Sequence, residues 1–344
     1  MSTSRTADVV IAGAGIGGVA AAYQLAVRAG VTRVIVVDPR EPLSLTSSRG
    51  AEAYRNYWPG PDDTMARFMD RSIDLLEALD HESGHAFALN RRGYVFLTAD
   101  PAEAERLRAT AGPSTEFLEN GPDIRARYPF VTDRVVAMLH ARRAGYMNAL
   151  ALGRWLLERA VRRGVDLVRD EVREPIVENG RFTGVRLASG GRIDARSFVL
   201  AAGPRLPEWA RRLELDVPIV NERHGKISFE DEAGIVPRDA PMMIWNDPVE
   251  IAGVGTLPAG VHLRPRGERS LLGIWTYDTR IEEPRVDPVF PPQYADIVLA
   301  GLAVMIPGLA VYRGRGAEAT VDGGYYCKTA DNRPLVGPAA IAGV

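Results

Sequence analysis

The chain has 344 residues, 46% hydrophobic and 25% charged, with a formal net charge of −2. That length fits about two domains, and the near-neutral balance argues against nucleic-acid binding, which wants a net basic domain. No apolar run approaches the roughly 18 residues of a membrane span, no signal peptide fits the polar start Met1 to Ala7, and the single cysteine, Cys327, excludes an internal disulfide and suits a reducing, cytoplasmic setting.

In chain order, the first forty residues come first and set the organisation. Asp8-Val9-Val10-Ile11 is a short apolar run of the kind that forms a buried parallel strand. Gly13-Ala14-Gly15-Ile16-Gly17-Gly18 follows, then a small-residue helical segment from Val19 to Ala29, stopped by Gly30. A second apolar run, Arg33 to Val37, ends on Asp38. This is strand, G-x-G-x-x-G turn, helix, strand and acid, the order of a dinucleotide-binding unit. Gly13 permits the sharp turn, Gly15 lets the backbone approach a pyrophosphate, and Gly18 lets the helix pack on the strand. The helix N-terminus offers free N–H groups and positive dipole to phosphate. Asp38 falls near the interval of about 20 residues expected for the acid that bonds a ribose hydroxyl. The competing reading, a Gly-rich turn that binds nothing, leaves three glycines and an acid in register unexplained. NAD and FAD both use this motif, and it does not choose between them.

A turn-rich loop, Pro39 to Gly50, holds Thr46-Ser47-Ser48-Arg49. Glu52 to Gly60 follows, aromatic and polar around Arg55, and is either a pocket wall or a packed loop. Pro61-Asp62-Asp63 caps a helix carrying Met65, Phe68, Met69, Ile73, Leu76 and Leu79 at helical spacing. It runs into His81-Glu82-Ser83-Gly84-His85, a formal H-E-x-x-H. No metal is expected there, because Gly84 reads as a helix stop and the zinc motif needs one continuous helix. Phe87 to Leu97 reads as a hairpin turning near Asn90-Arg91-Arg92-Gly93. Helices are expected over Pro101 to Ala111, Asp123 to Pro129 and, ahead of Gly164, Leu150 to Arg163. Val165 to Val168 is a strand, and a hairpin turns at Asn179-Gly180. Phe198-Val199-Leu200-Ala201-Ala202-Gly203 repeats the opening theme of an apolar strand running into glycine, so the nucleotide unit resumes after an insertion. From Pro218 to about Ala310 short strands with frequent prolines predict a β-rich unit, broken by a helix over Pro292 to Met305.

These motifs, in this order over nearly the whole chain, resemble the D-amino-acid oxidase, glycine oxidase and sarcosine oxidase superfamily of FAD-dependent amine oxidoreductases. Supporting the resemblance are the opening unit with Asp38, Ser47-Ser48, Gly145-Tyr146-Met147-Asn148, Val172, Ala201-Ala202-Gly203-Pro204, Arg264-Pro265, and the segment from Thr329 to Pro338. The resemblance implies an α/β (α+β overall) fold, a Rossmann-type FAD-binding domain with an inserted, β-rich substrate domain. Residues 1–85, 145–217 and 311–344 would form the first, and 86–144 with 218–310 the second. It implies FAD contacts from Gly13, Gly15, Ile16, Gly18, Asp38, Pro39, Arg40, Ser47, Ser48, Arg49, Val172, Ala202 and Gly203. Two departures stand out. Cys327 sits closer to Thr329 than the cysteine that tethers flavin in monomeric sarcosine oxidase, so non-covalent FAD and a buried small residue are expected. The family continues past the equivalent of Val344 with a strand and a Gly-rich loop, so weak FAD retention is expected.

The chemistry implied is oxidation of a C–N bond in an amino acid or secondary amine, with hydride passing to flavin N5. Oxygen or another carrier then accepts the electrons. A planar guanidinium suits a substrate carboxylate, and Arg55 is the first candidate; the alternative is a structural salt bridge. Lys226 either lies over the flavin or is a surface strand lysine. Tyr57, Trp58, Trp275 and Tyr277 form either an aromatic wall or core. A flavin-dependent hydroxylase and a non-catalytic subunit of the same fold are the competing functions.

Overall fold

A computed structural model of the chain describes residues 4–344. The opening strand Ser4–Ala12 lies inside a six-stranded sheet, parallel to Val34–Val37 on one side and to Arg192–Leu200 on the other. All four residues of Val34–Val37 are buried, as a β-branched strand covered on both faces must be. The helix after the glycine turn runs Ile16–Tyr23 and continues as a π-helical turn, Gln24–Arg28, before Gly30 ends it at φ +72°. Asn148 starts the helix Ala149–Arg162 by accepting the Ala151 N–H at 2.9 Å, and that helix packs beside the first. The sheet is completed by the short strand Asp166–Val168 and the hairpin Val172–Glu178 with Arg181–Leu187. Asn179 and Gly180, at φ +53° and +75°, make its turn.

The second sheet has eight strands, in the order Thr320–Lys328, Val220–Glu230, Ser270–Ile274, Val261–Arg266, Met242–Trp245, Tyr94–Thr98, Ala137–Ala141 and Thr115–Leu118. Stretch 311–344 therefore touches both sheets. Its strand joins the eight-stranded one, while Ala342 and Gly343 accept from Phe182 and Phe198 of the six-stranded one. One face of the larger sheet buries Val95, Leu97, Met243, Trp245, Leu263 and Leu271 against the helix Tyr294–Met305. The other face meets the loop that follows Val34–Val37, through Lys226 with the Arg49 carbonyl and Arg264 with the Ala51 carbonyl.

The hairpin expected over Phe87 to Leu97 does not form. Only Tyr94–Thr98 is a strand, paired with Met242–Trp245 and Ala137–Ala141. Phe87 is buried in the core of the first sheet with Val19 and Leu156, whereas Val95 and Leu97 belong to the core of the second. The apolar residues either side of the turn serve different cores and so do not pair. Gly84 (φ +66°) follows the helix Thr64–Glu82, and His85 bonds Asp80 at 2.6 Å. Among the described residues no helix is long and apolar enough to cross a membrane.

Candidate functional site

At the carboxyl end of the opening strand the backbone itself forms a cradle. Gly13 has φ +106°, and a Cβ there would lie 2.3 Å from the Ala201 carbonyl oxygen. A Cβ on Gly18 would lie 1.9 Å from the Gly13 oxygen. Neither position admits a side chain, so the strand, the turn and the helix close onto one another. The Asp38 carboxylate accepts the Ala14 and Arg40 N–H groups, both at 2.8 Å, and thereby ties the ends of two βα turns together. Each oxygen keeps a free lone pair for a further donor such as a sugar hydroxyl.

A cavity of about 300 Å³ opens beside this cradle. Gly13, Asp38, Pro39, Arg40, Arg49, Val172 and Ala202 line it. Gly15, Ile16, Gly18 and Gly203 are not among its lining residues. Ser47 accepts the Ile16 N–H at 2.9 Å, occupying a free donor of the first helical turn. Ser48 instead donates to the Leu45 carbonyl at 2.9 Å, and neither serine lines the cavity; Thr46 does. Other lining residues escaped the sequence reading. Arg205, held by Glu171 at 2.7 Å, stands just beyond Ala202-Gly203, where a closer look at the strand end would have found it. The segment Pro284 to Pro288 reaches over from the second sheet, and no sequence signal announces it. Arg49 fastens it, donating to the Val286 carbonyl at 2.8 Å and to Asp287 at 3.1 Å.

The inward face of the eight-stranded sheet lies next to this cavity. Cross-strand partners share a face, so the register defines a single row: Phe96, Ile244, His262, Ile274, Lys226, Asp322. Lys226 is buried, which corrects the surface-lysine alternative. Its ammonium donates to Asp322 at 2.8 Å and to the Arg49 carbonyl at 2.9 Å, joining this end of the row to the nucleotide loop.

Arg55 covers the other end. The short strand Ala53–Arg55 pairs with Ala144–Tyr146 and carries the side chain over the sheet. Its guanidinium carbon lies 4.7 Å from the Trp58 ring centroid, 5.6 Å from Tyr94 and 5.8 Å from Phe96. Burial lowers its proton affinity. Among the described residues its guanidinium has no ion pair or hydrogen bond, and Nε is buried without a partner. The salt bridge expected as the alternative role is therefore absent there. Its neighbours differ: Arg264 pairs with Glu52 at 2.7 Å, and Lys328 with Glu222 at 3.1 Å. The four aromatic residues proposed as one wall divide. Tyr57 and Trp58 flank Arg55, whereas Trp275 and Tyr277 pack behind the sheet near Tyr294. Cys327 is exposed rather than buried, with its thiol donating to Asn221 at 3.3 Å.

A glycine cradle, a tethered acid and the cavity beside them define a dinucleotide-binding protein of the doubly wound class. More narrowly, residues 8–344 match the family described as DAO, FAD dependent oxidoreductase, and the chain belongs to that family. FAD is thus the cofactor, and the side-chain-free cradle facing the cavity fits its pyrophosphate. The chain is 29% identical over 242 residues to the sarcosine oxidase subunit beta of Rhizobium meliloti (strain 1021), a match covering 67% of this chain and 56% of that protein. Its fold is similar to L-proline dehydrogenase from P. horikoshii, with a TM-score of 0.81, 21% identity and coverage of 99% of this chain and 87% of that one. Glycine oxidase from Geobacillus kaustophilus superposes with a TM-score of 0.80, at 18% identity and 97% and 86% coverage.

Proposed function

We propose that this protein oxidises the C–N bond of an amino acid or secondary amine, with the six-stranded unit holding FAD and the inward face of the eight-stranded sheet meeting the substrate. When bound, FAD supplies the hydride acceptor for conversion of the amine to an imine, which water hydrolyses. The chain's residues bind and orient the substrate and exclude water.

The observation carrying this reading is Arg55. A guanidinium held among three aromatic rings has lost much of its hydration, and no protein acid replaces it. A substrate carboxylate does so, accepting two parallel N–H bonds from the planar edge. Arg264, Lys226 and Lys328 each already have an acid, whereas Arg55 among the described residues has none and is left for a negative charge on the substrate. Tyr57 and Trp58 close the space beside it. Lys226 contributes by tying the sheet to the Arg49 loop at the cavity mouth.

Arg55→Ala is expected to raise KM for amino acids by about 10- to 100-fold, as for loss of a charged hydrogen bond, and to leave simple amines nearly unchanged. Equal effects on both would remove the carboxylate role. Anaerobic bleaching of the flavin absorbance by a panel of amines tests the oxidation itself; a protein bleached by none of them refutes it. A second reading, one subunit of a larger enzyme, draws support from the match to a protein named as a subunit. Turnover of amines by the purified lone chain with FAD would sink it.

A further inference from the structure

His262 stands in the centre of the row that joins Arg55 to the nucleotide loop. Its direct neighbours are Ile244 and Ile274, so it is the one ionisable group between the Phe96 end, where Arg55 stacks, and the Lys226–Asp322 end. Two strand spacings separate it from either end, about 10 Å each way. Its ring is fixed. Nδ1 lies 2.7 Å from the Gly260 carbonyl oxygen, which only accepts, so Nδ1 carries the proton and Nε2 carries the lone pair. Nε2 has no hydrogen-bond partner among the described residues, yet it is not a sealed atom: the side chain is half-buried and open to the inward face. The imidazole also stays neutral. Burial above all, with the charges of Arg55 and His224 and against the opposing hydrogen bond to Gly260, brings it down to about 4. A neutral acceptor with a fixed lone pair, on the face that an unmatched guanidinium covers and within reach of its charge, has the complement of an amino acid: an N–H donor beside a carboxylate.

Resting on the reading of Arg55 given above, we infer that His262 is a substrate-positioning residue whose Nε2 accepts a hydrogen bond from the substrate nitrogen while Arg55 holds the carboxylate. Two fixed points orient the bond to be oxidised, and the site distinguishes an amine from its ether or hydrocarbon analogue. An ether oxygen placed at Nε2 sets two lone pairs against each other and leaves both unsatisfied.

The test uses the FAD-loaded protein, anaerobically and with its flavin reduced beforehand by dithionite so that no amine is oxidised during the titration, with binding read from tryptophan fluorescence. Two isosteric pairs serve as probes: sarcosine against methoxyacetate, and L-proline against tetrahydrofuran-2-carboxylate. At least one amine should bind 10-fold or more tighter than its ether. His262→Leu should bring that ratio to within about twofold of one while leaving ether affinity almost unchanged, and His262→Asn, which keeps an acceptor, should restore part of the ratio. Arg55→Met should weaken both members of a pair alike. Unfolding temperature and flavin content of each variant separate these changes from loss of fold. If His262→Leu keeps the wild-type ratio, or wild type binds both members equally, the assignment of His262 is wrong and the Arg55 reading survives. If wild type binds neither pair, the Arg55 reading fails first and carries this one with it.

Discussion

Two arginines on the same face of the eight-stranded sheet are handled in opposite ways. Arg264, with its side chain 3% exposed, is closed: Glu52 meets it at 2.7 Å and the Ala51 carbonyl at 2.8 Å. Arg55 is open: aromatic rings surround it and among the described residues no acid answers it. Burial lowers the proton affinity of both. A closed pair satisfies its own charge and serves structure, whereas an open guanidinium carries an uncompensated desolvation cost that an incoming anion relieves. On the function proposed above, the contrast separates an arginine that holds the fold from one left free for a substrate carboxylate.

Breaking the closed pair should have the largest effect. Glu52→Leu leaves Arg264 buried and unmatched, at an expected cost of about 3–5 kcal/mol, measured by denaturant unfolding. A loss below about 1 kcal/mol would mean that Arg264 finds another partner and that the two arginines are alike. Acid sharpens the comparison next, through the histidine that the charge of Arg55 reaches. The folded-state value of His262, about 4, lies below its ordinary 6.5, so between these values the unfolded chain binds more protons. Stability should therefore fall as pH drops through that window, by up to about 3 kcal/mol in all, and His262→Asn should flatten this part of the profile. An unchanged profile would show that His262 is not held neutral. Opening the already open site should matter least: Arg55→Met should stay within about 1 kcal/mol of wild type in unfolding despite its effect on amino-acid binding. A loss of 3 kcal/mol or more would make Arg55 a second structural cation.

Much of the cofactor site was legible because its parts are contiguous and their work is done by backbone. Gly13, Gly18 and Asp38 stand within one strand–turn–helix–strand unit, and the close approaches at Gly13 and Gly18 follow from local geometry. Side-chain direction was less legible. Ser47 and Ser48 looked equivalent, but one bonds the helix terminus and the other its own turn. Phe87 and Val95 looked like two arms of a hairpin until each found a different core.

The sequence by itself determined the dinucleotide unit, the two-sheet composition and the residue types available to a site. Only the tertiary structure decided which of those residues meet. The strands Tyr94–Thr98 and Met242–Trp245 are buried at every position, so no alternation of apolar and polar residues marks the face that carries Phe96, Ile244 and His262. His262 and Arg55 are placed on one face of the sheet by register and a small two-stranded pairing between residues far apart in the chain. Long-range pairing, rather than local propensity, decides whether an arginine is closed or open.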